Sequence, residues 1–471
     1  MTVHHIVPPY LLEHLERTAD DPNLRARYRL TLQHDAVLRS RPAALGQGSV
    51  QLDGIVPSEG TVQSEGTAQL EGDGAGARRV VHDAENGTTL PGPVVRREGE
   101  PAVADATVNQ AYDGTGATWT MFKECFGRDS VDGAGLPLSS TVYYDHGYAN
   151  AFWDGAQLVF GDGDGEIFGD FTGSIDVVGH ELTHGVTQYT AGLVYEGQSG
   201  ALNESLSDVF GSLAKQHHLG QTAAEADWLI GADLFRPGVS ATALRSMKAP
   251  GTAYDDPRLG RDPQPAHMSG YVETTEDNGG VHLNSGIPNH AFYLVATALP
   301  GNAYDHAGQI WYTTLTSGNL TPTTTFASFA TATHTTAITL YGPTSPEATA
   351  VQTAWQNVGV LPTTPQPEAA PTPPESEPDP APPEPTDLIR AANTSLPLNP
   401  PPAAPPPPTN PPPSDAAPTD AAPTDAAPTD AAPTDAAPTD AAPTNAAPTN
   451  AAPTDAAPPP PAGPTPAPDP A

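Results

Sequence analysis

The chain has 471 residues and a formal net charge of −36, with 57 prolines, 44 glycines and one cysteine. A charge of that sign excludes a general binder of nucleic acid or anionic membrane, because both require clustered Lys and Arg against phosphate. Cys125 stands alone, so neither an intrachain disulfide nor a thiolate metal cluster can form, and no apolar run reaches the roughly 18 residues needed to span a bilayer.

Residues 1–45 read as a short separate leader, in which Pro8 and Pro9 precede Leu11, Leu12 and Leu15 at helical spacing and Arg-rich helix formers follow. Its first residues lack the basic start, apolar run and small-residue cleavage site of a secretory signal, which predicts a non-classical route for any export. Residues 46–77 carry the near-repeats Ser58-Glu59-Gly60-Thr61 and Ser64-Glu65-Gly66-Thr67 in a Gly, Ser, Gln and Glu background, the composition of a flexible linker open to processing.

Over 78–160, short alternating runs such as Arg79-Val80-Val81-His82 and Thr141-Val142-Tyr143-Tyr144 predict a β-rich lobe with one helix over 105–126. Gly161-Asp162-Gly163-Asp164-Gly165 predicts a tight turn; it lacks the later carboxylates of a calcium loop. Ile175, Val178, Leu182 and Val186 share one face of a helix over 175–190, which Gly192 ends. Further helices are predicted over 202–217, 227–230, 287–299, 304–315 and 325–336, a mainly α second lobe. Residues 363–471 hold 14 acidic residues against Arg390 alone, and 416–455 are eight copies of Ala-Ala-Pro-Thr-Asp or Ala-Ala-Pro-Thr-Asn. Such a tail has nothing to bury and is predicted to be a disordered, extended spacer.

His180 and His184 lie four residues apart, one above the other on a helix, so both imidazoles can reach one tetrahedral ion, with Glu181 beside the open position. A chance match to His-Glu-x-x-His in a chain of this length is on the order of one per cent. Glu204, twenty residues after His184, can supply a third ligand, and three ligands leave a place for water, as catalytic zinc requires. Asp208, one helical turn further, is suited to hold the second ring nitrogen of a histidine ligand. A solvated helix face is the alternative reading of these residues.

Asn150-Ala151-Phe152-Trp153, the His180 to His184 motif, Asn203-Glu204 with Asp208, and Asp277-Asn278-Gly279-Gly280-Val281-His282 occur in this order over residues 78–361, which resemble the thermolysin-type neutral metalloproteases. Ile6-Val7-Pro8-Pro9-Tyr10-Leu11-Leu12 resembles the short propeptide of the protealysin-like branch of that family. The resemblance implies an α+β fold of two lobes: a β-rich N-terminal lobe with the zinc helix over 78–190 and an α-helical C-terminal lobe over 191–362. It implies an endopeptidase holding one catalytic zinc through His180, His184 and Glu204. Glu181 would be general base, Tyr195 and His282 oxyanion donors, and Asp277 the group that orients His282, with Asn203 and Asp208 behind the ligands. Asn150 and Ala151 would bind an extended peptide, Arg245 would grip its backbone past the cleaved bond, and Phe168, Phe171, Val177 and Leu244 would form a pocket for a large apolar residue there.

Asp176 matches one family calcium ligand, but Lys215, Leu229 and Ala232 replace others, so a paired calcium site is predicted absent. The implied partners are protein or peptide substrates and the chain's own propeptide, for a monomer with no nucleic acid and no membrane span. Family habit implies release from the cell, with a cytoplasmic life as the alternative. The rival function is a catalytically silent binding protein on the same scaffold.

Overall fold

A computed structural model describes residues 3–39 and 76–363; the expected linker and the repeat tail fall outside the described residues, apart from the linker's last two residues and Thr363 at the start of the tail. The leader supplies strand β1 (His4–His5) and helices α1 (Pro9–Thr18) and α2 (Pro22–Arg39). Pro8 caps α1 in extended conformation and Pro9 opens it, a position where a missing N–H is harmless. Leu11, Leu12 and Leu15 are all buried.

The N-terminal lobe is built on β2 (Arg79–Asp83), β3 (Val94–Arg97), β4 (Leu138–Val142), β5 (Ala151–Trp153) and β6 (Leu158–Phe160), with helix α3 (Ala106–Phe126) after β3. With β1 they form a six-stranded sheet of order β1-β5-β6-β4-β2-β3. The β2/β4 and β4/β6 pairs are parallel, and β1/β5, β5/β6 and β2/β3 are antiparallel. Asp105 caps α3 by accepting from the N–H groups of Thr107 and Val108, and Gly127, at φ 68°, closes it. The expected strand through Tyr144 stops at Val142, because Tyr143 turns to φ 53°, which no strand accepts.

Helix α4 (Ile175–Gln188) carries the His-Glu-x-x-His residues. It leads to the helical lobe of α5 (Gly197–Leu219), α6 (Asp277–Asn284), α7 (Gly286–Ala298), α8 (Ala307–Thr316), α9 (Phe326–Tyr341) and α10 (Pro346–Asn357). The helix expected over 227–230 is instead strand β7 (Leu229–Ile230), paired antiparallel with β8 (Arg245–Ser246); four residues are too few to nucleate a helix, and the β8 ladder satisfies their backbone. Sequence reading passed over α10, although Ser345, whose side chain accepts from Ala348 N–H, and Pro346 behind it are an N-terminal helix signal.

The leader is not the separate element that its sequence suggested. Its Ile6, Val7, Leu11, Leu12, Leu15, Leu24 and Tyr28 join the same buried cluster that runs through α4, α5 and α7 to Trp355. An amphipathic pair of helices this short cannot bury its apolar face alone, so it uses the surface of the catalytic lobes.

Candidate active site and metal centre

The site lies where α4 crosses α5 at close range. Gly179 and Gly211 make that approach possible: a Cβ on Gly211 would stand 2.4 Å from Asp176 O, and one on Gly179 would stand 2.9 Å from Gly211 Cα. Two bare helix surfaces therefore bring Glu204 on α5 against His180 and His184 on α4, all three buried.

The ring nitrogens are sorted by their partners. His180 Nδ1 lies 2.8 Å from Asp208 Oδ1, and His184 Nδ1 lies 2.9 Å from Asn203 Oδ1 and 3.1 Å from Ser207 Oγ. A carboxylate and an amide oxygen only accept, so both Nδ1 atoms carry the proton and both Nε2 lone pairs point inward. Those two Nε2 atoms are 3.0 Å apart, and each is 3.5 Å from a Glu204 oxygen. Three buried lone-pair donors facing one another, with Glu204 Oε2 lacking any hydrogen bond, repel unless a cation lies between them. A tetrahedral zinc with ligands at about 2.0–2.1 Å would ask for nitrogens roughly 3.3 Å apart, so the residues fit that ion.

Glu181 is fully buried, and neither carboxylate oxygen forms a full hydrogen bond. Burial pushes its carboxyl well above the usual range, Glu204 adds to this and Arg245 opposes it. Tyr195 donates to Glu204 Oε1 and lies 3.3 Å from His282 Nε2. His282 sits after a sharp reversal in which Asp277, Asn278, Gly279 and Gly280 all have positive φ. That turn lets Asp277 bind His282 twice, through Oδ1 to Nδ1 at 2.6 Å and Oδ2 to the backbone N–H at 2.9 Å. Burial disfavours the imidazolium, but the charges of Asp277 and Glu204 outweigh it and raise the ring to about 9.

Asp208 accepts from more than a histidine. Its oxygens also take Arg245 Nη2 at 2.7 Å, Arg245 Nε at 2.8 Å and Asn289 Nδ2 at 2.8 Å. Desolvation pushes this carboxyl up, and Arg245 and His180 more than reverse it, holding it far below the carboxylate range. Asn289 and Ser207 were not anticipated from sequence; each lies on the buried side of a helix next to a residue that was.

The leader crosses this site as an added strand. His4 pairs with Trp153 and His5 with Phe152. Ile6 N–H donates to Ala151 O at 3.1 Å. Val7 N–H donates to Asn150 Oδ1 at 2.9 Å, and Asn150 Nδ2 donates to Val7 O at 3.3 Å. Arg245 Nη1 donates to Ile6 O at 2.9 Å, and His282 Nε2 lies 2.7 Å from His5 O. The His4 ring stacks on His184 at 4.4 Å and meets Tyr195 edge-on. On the leader's far side, buried Asp35 accepts from Tyr148 at 2.5 Å and from Asn150 Nδ2 at 3.0 Å, and lies 3.1 Å from His5 Nε2. Phe168, Phe171, Val177 and Leu244 are buried in the apolar cluster that contains Ile6. The structure thus brings the metal-facing residues, Tyr195, His282, Asp277, Arg245 and Asn150 together around the leader strand, and places Phe168, Phe171, Val177 and Leu244 in the buried core that also holds Ile6.

Lys215 stands between Asp176 and Asp227, at 3.1 Å and 2.8 Å, so an ammonium occupies the space between these carboxylates. In the 161–165 segment, Asp164 Oδ1 accepts from the N–H groups of Glu166, Ile167 and Phe168, a side-chain-capped turn. Among the described residues, no helix is long and apolar enough to cross a membrane.

The profile of the thermolysin metallopeptidase catalytic domain matches residues 47–188, and that of its α-helical domain matches residues 191–360. The chain is 56% identical over 284 residues to an extracellular metalloprotease of Pectobacterium carotovorum subsp. carotovorum, covering 60% of this chain and 81% of that one. It is 43% identical over 357 residues to protease PrtS of Photorhabdus sp. (strain Az29), covering 75% and 91%. The solved precursor of protealysin, a metalloproteinase from Serratia proteamaculans, superposes with a TM-score of 0.66 at 48% identity over 76% of this chain and 100% of that one. With its inward-facing histidine pair and two-lobe architecture, the chain belongs to the thermolysin metallopeptidase family and is a zinc-dependent metalloendopeptidase.

Proposed function

We propose that this protein is made as a precursor whose leader fills the substrate cleft, and that the released enzyme cuts proteins before large apolar residues. The observation that carries this reading is the path of residues 4–7: an extended peptide antiparallel to β5, held through its backbone by Ala151, Asn150, Arg245 and His282. Backbone recognition on an open sheet edge accepts many sequences, which suits an endopeptidase.

His180, His184 and Glu204 hold the zinc, which when bound supplies a Lewis acid that polarises the scissile carbonyl and acidifies water. Glu181, buried and without a full hydrogen bond, takes the proton of the attacking water and passes it to the leaving amine. Tyr195 and His282 donate to the carbonyl oxygen as it gains charge, and Asp277 keeps the His282 ring protonated and aimed. Arg245 and Asn150 fix the peptide on the leaving side, while Phe168, Phe171, Val177 and Leu244 receive the apolar side chain that follows the cleaved bond. Asp208 and Asn203 fix the tautomers of the ligand histidines. Lys215 between Asp176 and Asp227 argues against calcium there, leaving zinc as the required metal.

The names of relatives favour activity outside the cell. The test is casein hydrolysis by the chain after its 46–77 segment is cut, its loss with a zinc chelator, and a peptide library. Cleavage chiefly before charged residues refutes the pocket assignment, and hydrolysis that survives zinc removal refutes the mechanism.

A further inference from the structure

The leader is in the register of a substrate as well as in its place. His5 O is the carbonyl that meets His282 Nε2, at 2.7 Å, with the Tyr195 hydroxyl 3.3 Å from the same nitrogen. The next residue presents its N–H to Ala151 O and its carbonyl to Arg245, and the one after that bonds Asn150 in both directions. Ile6, fully buried, supplies the large apolar side chain that follows this carbonyl. Chain direction, oxyanion contact, backbone clamp and apolar residue therefore agree on one peptide bond.

We infer that the His5–Ile6 bond of the leader is itself a self-cleavage site, distinct from any cut between the leader and the catalytic lobe. This rests on the catalytic reading above. Hydrolysis adds water across the bond: the water oxygen joins the His5 carbonyl carbon and the C–N bond breaks. Its electron pair stays on the Ile6 nitrogen, which receives a proton through Glu181. The products are a His5 carboxylate and an Ile6 amine.

The cut frees residues 1–5 and removes the His4 ring from between His184 and Tyr195. It leaves the rest of the leader anchored. Val7 still bonds Asn150, Tyr28 donates to Asp164 Oδ2 at 2.9 Å, and Asp35 holds Asn150 and Tyr148. The nicked leader then occupies only the leaving-group side of the cleft, as a bound product does.

The experiment uses the full chain loaded with zinc, followed by intact mass and N-terminal sequencing. A chain beginning at Ile6 is expected, with the Glu181→Gln chain left whole. Ile6→Leu should keep the cut, and Ile6→Asp should slow it at least tenfold. A metal-free readout tests the register by itself. In the Glu181→Gln chain, the Ile6 and Val7 amides should exchange hydrogen at least ~100-fold slower than open amides, whereas free exchange overturns the inference. An enzyme that hydrolyses casein yet never yields the Ile6 terminus overturns the inference alone. A zinc-loaded chain that cuts neither casein nor itself brings down the catalytic reading with it.

Discussion

Replacing Asp208 by Ala tests the idea that one carboxylate serves both the metal and the substrate clamp. Its two oxygens accept from His180 Nδ1, Arg245 Nε, Arg245 Nη2 and Asn289 Nδ2, all within 2.7–2.8 Å. Arg245 is 1% exposed, so removing its counter-charge strands a buried guanidinium. Breaking such a pair from one side costs about 3–5 kcal/mol, which should lower the melting temperature by at least about 5 °C. Loss of the group that orients a ligand histidine should weaken zinc by about 10–100-fold. Zinc competition against a fluorescent chelator and thermal denaturation read the two effects separately. Adding Arg245→Met to Asp208→Ala should recover part of the stability, because the stranded charge is gone, but none of the zinc affinity. A single Asp208→Ala variant that binds zinc within about twofold of the parent and melts within about 1 °C would refute the coupling.

Gly211→Ala places a Cβ 2.4 Å from the Asp176 carbonyl and should cost about 1–3 kcal/mol or more while loosening zinc, since α5 must move off α4; a variant as stable and as tightly metallated as the parent contradicts the close-approach argument. Arg79 holds Glu98 through Nη2 at 2.6 Å and Nε at 2.7 Å, and against the burial that raises it the carboxyl is brought down to about 2. The folded value lies below the unfolded 4.5, so this stabilisation is complete above that pH and fades as pH falls toward 2. The melting gap between parent and Glu98→Gln should therefore narrow from pH 5 to pH 2, and a constant gap would count against the pairing. Lys215→Met leaves fully buried Asp176 without its ammonium and should lower stability, whereas a calcium-selective chelator should leave the parent's melting unmoved. A drop on calcium removal would show that the ammonium has not replaced the ion.

Much of the site was legible because its chemistry depends on short-range spacing. His180 and His184 are four apart on one helix and Glu204 and Asp208 four apart on the next, so periodicity groups each pair, while joining the two pairs with Tyr195, His282 and Arg245 took the resemblance to the family. What escaped were partners brought in from far along the chain. Asn289 reaches Asp208 across 81 residues, and Asp35 reaches Asn150 across 115; nothing local in either neighbourhood advertises the contact. The 227–230 segment failed for the same reason. Its apolar run is too short to choose a state for itself, and Arg245 and Ser246 choose it by pairing. The leader's amphipathic helices were readable, but not that their apolar face belongs to the catalytic core, because periodicity shows that a face is buried and not against what.

The leader's placement on β5 has a kinetic meaning. A peptide joined to the chain that binds it meets the cleft at an effective concentration of order millimolar, which a dissolved substrate rarely matches. Cutting the connection between Arg39 and Gly76 leaves both sides of the described contacts between residues 4–35 and the catalytic lobes covalently intact, yet it turns a folding equilibrium into a two-body one. Release is then governed by how dilute the protein is. A cut molecule in a crowded compartment would remain shut, and the same molecule carried into a large volume would open.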